Sequence, residues 1–240
     1  MATGFINGGF ETGDTTGWTT GTGYRGNVFN NALNPNAFLP GGSLYNPNLN
    51  HSAVVSPGIA PGTDGNLNQV YSGNYSFRAE DGPTVGGYAS AITQTVTNYT
   101  DPDIFFAWAA VLQGAHGTND AATFLLVLHD LTTSTDLITR QYNAASGGGG
   151  VDARFTLSSS GYYYTAWQVE QLALGTSNLG HDFSLTLLAA DCEPTGHAGW
   201  VYLDGFGAAP PLTGVPEPAT LALMSLGLAG LGAIRRRKAA

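Results

Sequence analysis

Five acidic positions, Glu80, Asp81, Glu170, Asp191 and Glu193, are the only plausible partners for a two-carboxylate hydrolysis of a glycosidic bond. That reaction needs an acid and a base, or an acid and a nucleophile, about 5 to 9.5 Å apart across a cleft. No motif surrounds any of the five. A second set is Asp191-Cys192 with His197 and the more distant His116. Cysteine beside histidine can make a thiolate nucleophile, and cysteine, histidine and aspartate can hold zinc. The Cys-x4-His spacing lacks the second ligand pair of a structural zinc site, however, and no orienting partner for a nucleophile is visible. The simpler expectation is a small buried cysteine with histidines that pin their loops. A third set is aromatic. Tyr162, Tyr163, Tyr164 and Trp167 fall in one apparent strand, and Tyr24, Tyr45 and Tyr71 lie in or beside a polar loop. Sandwich aromatics are mostly core, so Trp18, Trp108 and Trp167 are expected inside. The three loop tyrosines are the candidates for stacking on sugar rings.

The elements that must position these residues read as β. Segments rich in β-branched and aromatic residues, separated by turn residues, fall near 74–80, 88–97, 103–112, 122–131, 135–142, 161–172, 182–191 and 198–206. Ile92-Thr93-Gln94-Thr95-Val96-Thr97 and Phe183-Ser184-Leu185-Thr186-Leu187 alternate plainly, while Phe105 to Leu112 is almost continuously apolar, as a strand covered on both faces should be. Residues 25–68 are rich in Asn, Pro and Gly and read as one long loop, functional or partly disordered. An antiparallel jelly-roll β-sandwich over residues 1–207 is the expected fold.

Composition narrows the partners. The chain has 240 residues, 34 glycines, 10% charged residues and a net charge of −9. Before residue 215 its cations are Arg25, Arg78, Arg140 and Arg154, with no lysine. Such a surface repels nucleic acid and anionic lipid, tolerates neutral glycans and attracts calcium. The single Cys192 cannot form an internal disulfide.

The C-terminus differs from everything before it. A Pro-rich linker at 208–218 contains Val215-Pro216-Glu217-Pro218, an uncharged apolar run follows over 219–234, and Arg235-Arg236-Arg237-Lys238 opens the basic end at 235–240. Leucines occupy every side of a helix built on that run, which rules out an amphipathic surface helix. It would span about 24 Å against a bilayer core of about 30 Å, short enough for a transient transmembrane anchor. The basic cluster would stay in the cytoplasm. A buried core helix is the alternative, and four consecutive basic residues at its end argue against it.

Pro-Glu-Pro, an apolar helix and an Arg cluster at the extreme C-terminus resemble the PEP-CTERM sorting signal of Gram-negative bacteria. The resemblance implies export, recognition by an exosortase-type membrane protease, and processing near Pro216 to Pro218. It also implies a place at the cell envelope or in an extracellular polysaccharide matrix, after inner-membrane anchoring during sorting. Met1 to Phe5 shows neither a basic nor an apolar leader region.

Asn7-Gly8-Gly9-Phe10-Glu11, with Gly13-Asp14 and Gly17-Trp18, resembles the opening strand of carbohydrate-binding-module-like, galactose-binding-like jelly rolls. Gly199-Trp200-Val201-Tyr202-Leu203-Asp204 resembles their closing strand. The likeness implies adjacent first and last strands and one structural calcium ion held by Glu11 and Asp204. Carbonyls of the Gly73-Asn74 turn would help, since calcium prefers hard oxygen ligands. The alternative is that both acids only accept hydrogen bonds from turn amides. Phe105 to His116, His129-Asp130 and Ala190 to Trp200 also resemble a jelly-roll domain of exported bacterial proteins, which speaks to fold and not to activity. A non-catalytic, glycan-binding or structural envelope protein is therefore expected, with a glycoside hydrolase or lyase on the same fold as the alternative.

Overall fold

The computed structural model describes residues 4–83, 86–207 and 210. Twelve strands occur among them: β1 Thr19–Tyr24, β2 Ala53–Val55, β3 Ser76–Ala79, β4 Tyr88–Val96, β5 Asp103–Gln113, β6 Thr123–Asp130, β7 Thr135–Asn143, β8 Phe155–Leu157, β9 Tyr162–Thr165, β10 Gln168–Ala173, β11 Phe183–Ala190 and β12 Gly199–Gly207. They form two antiparallel sheets. The first runs β1-β4-β11-β6-β7 and the second β2-β3-β12-β5-β9-β8, with β10 also paired to β5. Helical structure among the described residues is limited to short 3-10 turns.

The sheets close on one apolar layer. Period-2 alternation sends Ile92 and Val96 of β4, Leu185 and Leu187 of β11, and Phe124, Leu126 and Leu128 of β6 inward. They meet Phe106, Trp108 and Leu112 of β5 and Val201 and Leu203 of β12. The other face of β5 is buried too. Ala109 and Val111 pack with Trp200 and Tyr202 beneath Ala60 and Leu67, which explains the unbroken apolar run of β5.

Those covering residues belong to the segment expected to be a loose loop. It is instead a pair of caps. Phe38 and Leu39 cover Ala89, Ala91, Leu188 and Ala190 on the outside of the first sheet. Ala60 and Leu67 do the same on the second. Their few apolar anchors are irregularly spaced, so no period betrays them. β1 was missed for a related reason. The cap backbone lies directly on it, and a Cβ on Gly21 would stand 2.1 Å from the Phe38 carbonyl oxygen. Only glycine fits there, so Gly21 and Gly23 interrupt the threonines of β1 and the segment reads as a turn.

Two further expectations need correction. The single strand at 161–172 is two, β9 and β10, separated at Ala166-Trp167. β5 pairs with β10 through Trp108 and resumes with β9 at Val111. At the gap, the Ala110 N–H donates to Thr165 Oγ1 at 3.0 Å, so the break leaves that buried donor satisfied. Residues Asn7 to Glu11 are turns, not a strand. They still lie against the last strand, where the Phe206 N–H donates to the Gly8 carbonyl at 3.0 Å.

Candidate functional site

A groove of about 470 Å³ lies on the outer face of the first sheet beside the Pro35-Asn36 rim of the cap. Its floor follows from strand register. Thr186 pairs with Thr93 and Ser184 with Thr95 across β11 and β4, so four hydroxyl residues share one face. Thr93 Oγ1 and Thr186 Oγ1 are 2.8 Å apart. Leu125 and Val127 of β6 add an apolar strip, and His129 lies 2.6 Å from Asp136 at the far end. The groove offers paired hydroxyls, an imidazole–carboxylate pair and an aliphatic patch. Sequence reasoning did not single it out. The signal was there, in the alternating threonines and serine of two strands that the fold makes neighbours.

Glu11 and Asp204 come together. A Cβ on Gly9, between them, would lie 3.4 Å from Asp204 Oδ1 and 3.8 Å from Glu11 Cγ. Both carboxylates grip the segment 71–75. Asp204 Oδ2 accepts from the Tyr71 and Ser72 N–H groups at 3.1 and 3.0 Å. Glu11 accepts from the Asn74 and Tyr75 N–H groups at 2.9 and 3.1 Å. The Gly73-Asn74 turn thus turns an amide toward Glu11. Asp204 Oδ1 is buried with no hydrogen-bond partner among the described residues. Burial pushes the Asp204 carboxyl up to about 7. An orphaned, desolvated carboxylate oxygen beside a second acid is a donor set that fits calcium.

Among the acids weighed for glycosidic chemistry, Glu80 and Asp191 lie within each other's electrostatic reach. Glu80 is fully buried and bound to His51 and Ser90. Asp191 is also fully buried, its oxygens accepting from the Gly86, Tyr88 and Gly199 N–H groups at 3.2 to 3.3 Å. Burial holds it up to about 7. Glu170 takes Arg140 in two contacts of 2.7 Å and the Trp108 indole N–H at 3.1 Å, tying β10 to β7. The Glu193 backbone N–H donates to the Asp120 carbonyl. None of Glu80, Glu170, Asp191 or Glu193 lines the groove.

The tyrosines expected to stack on sugars form no common platform. Tyr24 is exposed and edges Tyr88 across β1 and β4. Tyr45 bridges to Gly23 at the same sheet. Tyr71 belongs to the other side, 5.6 Å from Trp167, which in turn faces Tyr202 of the second sheet. Trp18 and Trp108 are buried in the core, and Trp167 is half-buried against its outer layer.

The tail residues Val215, Pro216, Glu217 and Pro218, the run 219–234 and Arg235 to Arg237 lie outside the described residues. No helix among the described residues is long and apolar enough to cross a membrane.

Comparison with known proteins adds the following. Residues 214–238 match the PEP-CTERM protein-sorting motif, which implies export to the cell envelope of Gram-negative bacteria. No curated protein matches the chain. Among solved structures, TmCBM61 in complex with β-1,4-galactotriose is 12% identical with a TM-score of 0.41, covering 86% of this chain and 97% of that one. The non-crystalline-cellulose-specific carbohydrate-binding module CBM28 is 13% identical with a TM-score of 0.40, covering 85% and 94%. A cyclase from Fischerella sp. TAU is 14% identical with a TM-score of 0.42, covering 85% and 94%.

Proposed function

We propose that this chain is a non-catalytic envelope protein that binds neutral glycan in the matrix outside the cell. Its C-terminal tail delivers it there, with 219–234 as a transient membrane helix and an exosortase-type protease cutting near Pro216 to Pro218. The groove on the first sheet carries the glycan reading. The hydroxyls of Thr93 and Thr95 on β4 and Ser184 and Thr186 on β11 offer donors and acceptors to sugar hydroxyls, and Leu125 and Val127 offer an apolar surface to ring C–H groups. An acidic surface with no lysine before residue 215 favours a neutral polymer over an anionic one. A hydrolase or lyase has less support, because among the described residues Asp136 is the one carboxylate lining the groove, already held by His129. Glu11 and Asp204 would hold one structural calcium ion, which closes the base of the sandwich and takes no part in binding sugar.

One experiment tests sorting and binding in sequence. The chain is produced in an exosortase-positive bacterium, its mature mass is measured, and it is run through gels containing the host's neutral polysaccharides. Loss of the mass beyond about Pro218 is expected, with gel retardation that a Thr93→Ala, Thr186→Ala double variant abolishes. An intact tail would overturn the sorting reading. Absence of retardation on every matrix sugar would remove glycan binding and leave a structural role, and new reducing ends would favour the enzyme.

A further inference from the structure

At one end of the sandwich, three segments that are far apart in the chain converge. β5 ends and turns at His116, β11 runs into Cys192, and the return loop brings His197 in just before β12. His116 Nε2 and His197 Nδ1 are 2.9 Å apart, and Cys192 Sγ is 3.5 Å from the same His197 nitrogen. All three ligand atoms lie within 4.8 Å of one another. We propose that His116, Cys192 and His197 form a binding site for one zinc ion, with the fourth coordination position open to solvent.

The geometry is close to what the metal requires. Bonds of about 2.0–2.1 Å to nitrogen and about 2.3 Å to sulfur in a tetrahedron separate ligand atoms by roughly 3.3–3.6 Å. The Cys192–His197 separation is already there. The two imidazoles need to part slightly, and the remaining pair closes by about 1.3 Å at most. Neutral imidazole and thiolate are ligands for zinc, whereas calcium takes oxygen. The site is therefore chemically distinct from Glu11 and Asp204.

The backbone is bent to make this convergence. His116 sits at φ +64° and Thr195 at φ +69°, in the left-handed region that side chains rarely occupy. Strain of this kind gathers where side chains must be aimed. The Cys192 N–H donates to the His197 carbonyl at 2.9 Å and closes the loop. Cys192 is fully buried, so it cannot meet a substrate as a nucleophile, while both histidines are half-exposed and leave one side of the site to solvent.

Charged groups surround the cluster. Arg25 is fully buried and makes no ion pair among the described residues. Its guanidinium donates to the Val28 and Asp191 carbonyls and to Asn30 Oδ1. A buried cation of this kind is costly without an anion nearby. Asp191, Glu193 and Asp120 also lie in its field and offset the added charge of the metal. Asp191 is not a fourth ligand, because both its oxygens already accept backbone N–H groups.

Cobalt substitution gives the test. The full chain, made without a histidine tag and stripped with chelator, is titrated with Co²⁺ and then Zn²⁺. Since Cys192 is the single cysteine, a thiolate-to-cobalt charge-transfer band reports this site alone. One equivalent of cobalt should generate the band and one equivalent of zinc should erase it. His116→Ala and His197→Ala should each weaken zinc at least about tenfold, and Cys192→Ser should remove the band. Absence of the band in the unmutated protein overturns the proposal even if zinc binds elsewhere, and so does full affinity in both histidine variants. The unmutated spectrum decides the matter should any variant fail to fold.

Discussion

Glu80 shows how much one residue can demand of its surroundings. It is fully buried at φ +62°, accepts from Ser90 Oγ at 2.5 Å, and lies 3.2 Å from His51 Nδ1. Burial raises its carboxyl above the ordinary 4.5, and the hydrogen bond to Glu80 raises His51 above 6.5. Both shifts have the same consequence for stability. Above pH 4.5 the unfolded chain releases the glutamate proton before the folded one does, and above pH 6.5 the same holds for the histidine. The folded state then binds more protons, so stability falls as pH rises through each folded value. Thermal melts between about pH 5 and pH 8 should show this decline, and Glu80→Gln should flatten it. Parallel curves for the two proteins would mean that the pair does not contribute.

At the scale of elements, the caps matter more than their irregular sequence implies. Phe38 is fully buried on the outer face of the first sheet, anchoring a segment that also walls the groove. Phe38→Ala should cost about 3–5 kcal/mol, and Gly21→Ala should lift the same cap by forcing a methyl into the Phe38 carbonyl. Both variants should admit protease within residues 33–44 before the strands are cut. A change within about 0.5 kcal/mol for Phe38→Ala would show that the cap adds nothing to the fold. The Arg140–Glu170 pair, partly exposed, joins the edge strands of the two sheets and is worth less than the cap, about 1 kcal/mol at most.

Across the whole molecule, the ends of the domain are fastened to its middle. Glu11 reaches residues 63 and 64 positions away, and Asp204 reaches back 133. A calcium ion between the two would turn these contacts into a single staple and bind the folded state alone. Calcium at about 100 times its Kd should then add about 2.7 kcal/mol of stability. In a melt with and without chelator, the gain should vanish in Asp204→Asn and persist in Cys192→Ser. A melting temperature indifferent to calcium would leave the two acids as latches for the turn amides.

What the sequence determined by itself is what short-range pattern encodes. β-branched and aromatic segments between turn residues marked eight strand regions, one of which the structure splits into β9 and β10, and the continuous run from Phe105 to Leu112 was sufficient for a doubly covered central strand. Pro216-Glu217-Pro218 with its apolar and basic followers was sufficient for the sorting motif, because that signal is contiguous and needs no fold to be read. Only the tertiary structure decided which faces are covered, since Phe38 and Leu67 carry no period that points to their partners. It also made neighbours of Thr93 and Thr186, whose shared face depends on strand register. Tyr24 on β1 and Tyr71, set in a loop against Trp167, were kept apart by the packing of the two sheets. His116, 76 positions before Cys192 in the chain, meets Cys192 and His197 because β5 and β11 end where β12 begins. Such convergence depends on sheet order, which local residue pattern does not record.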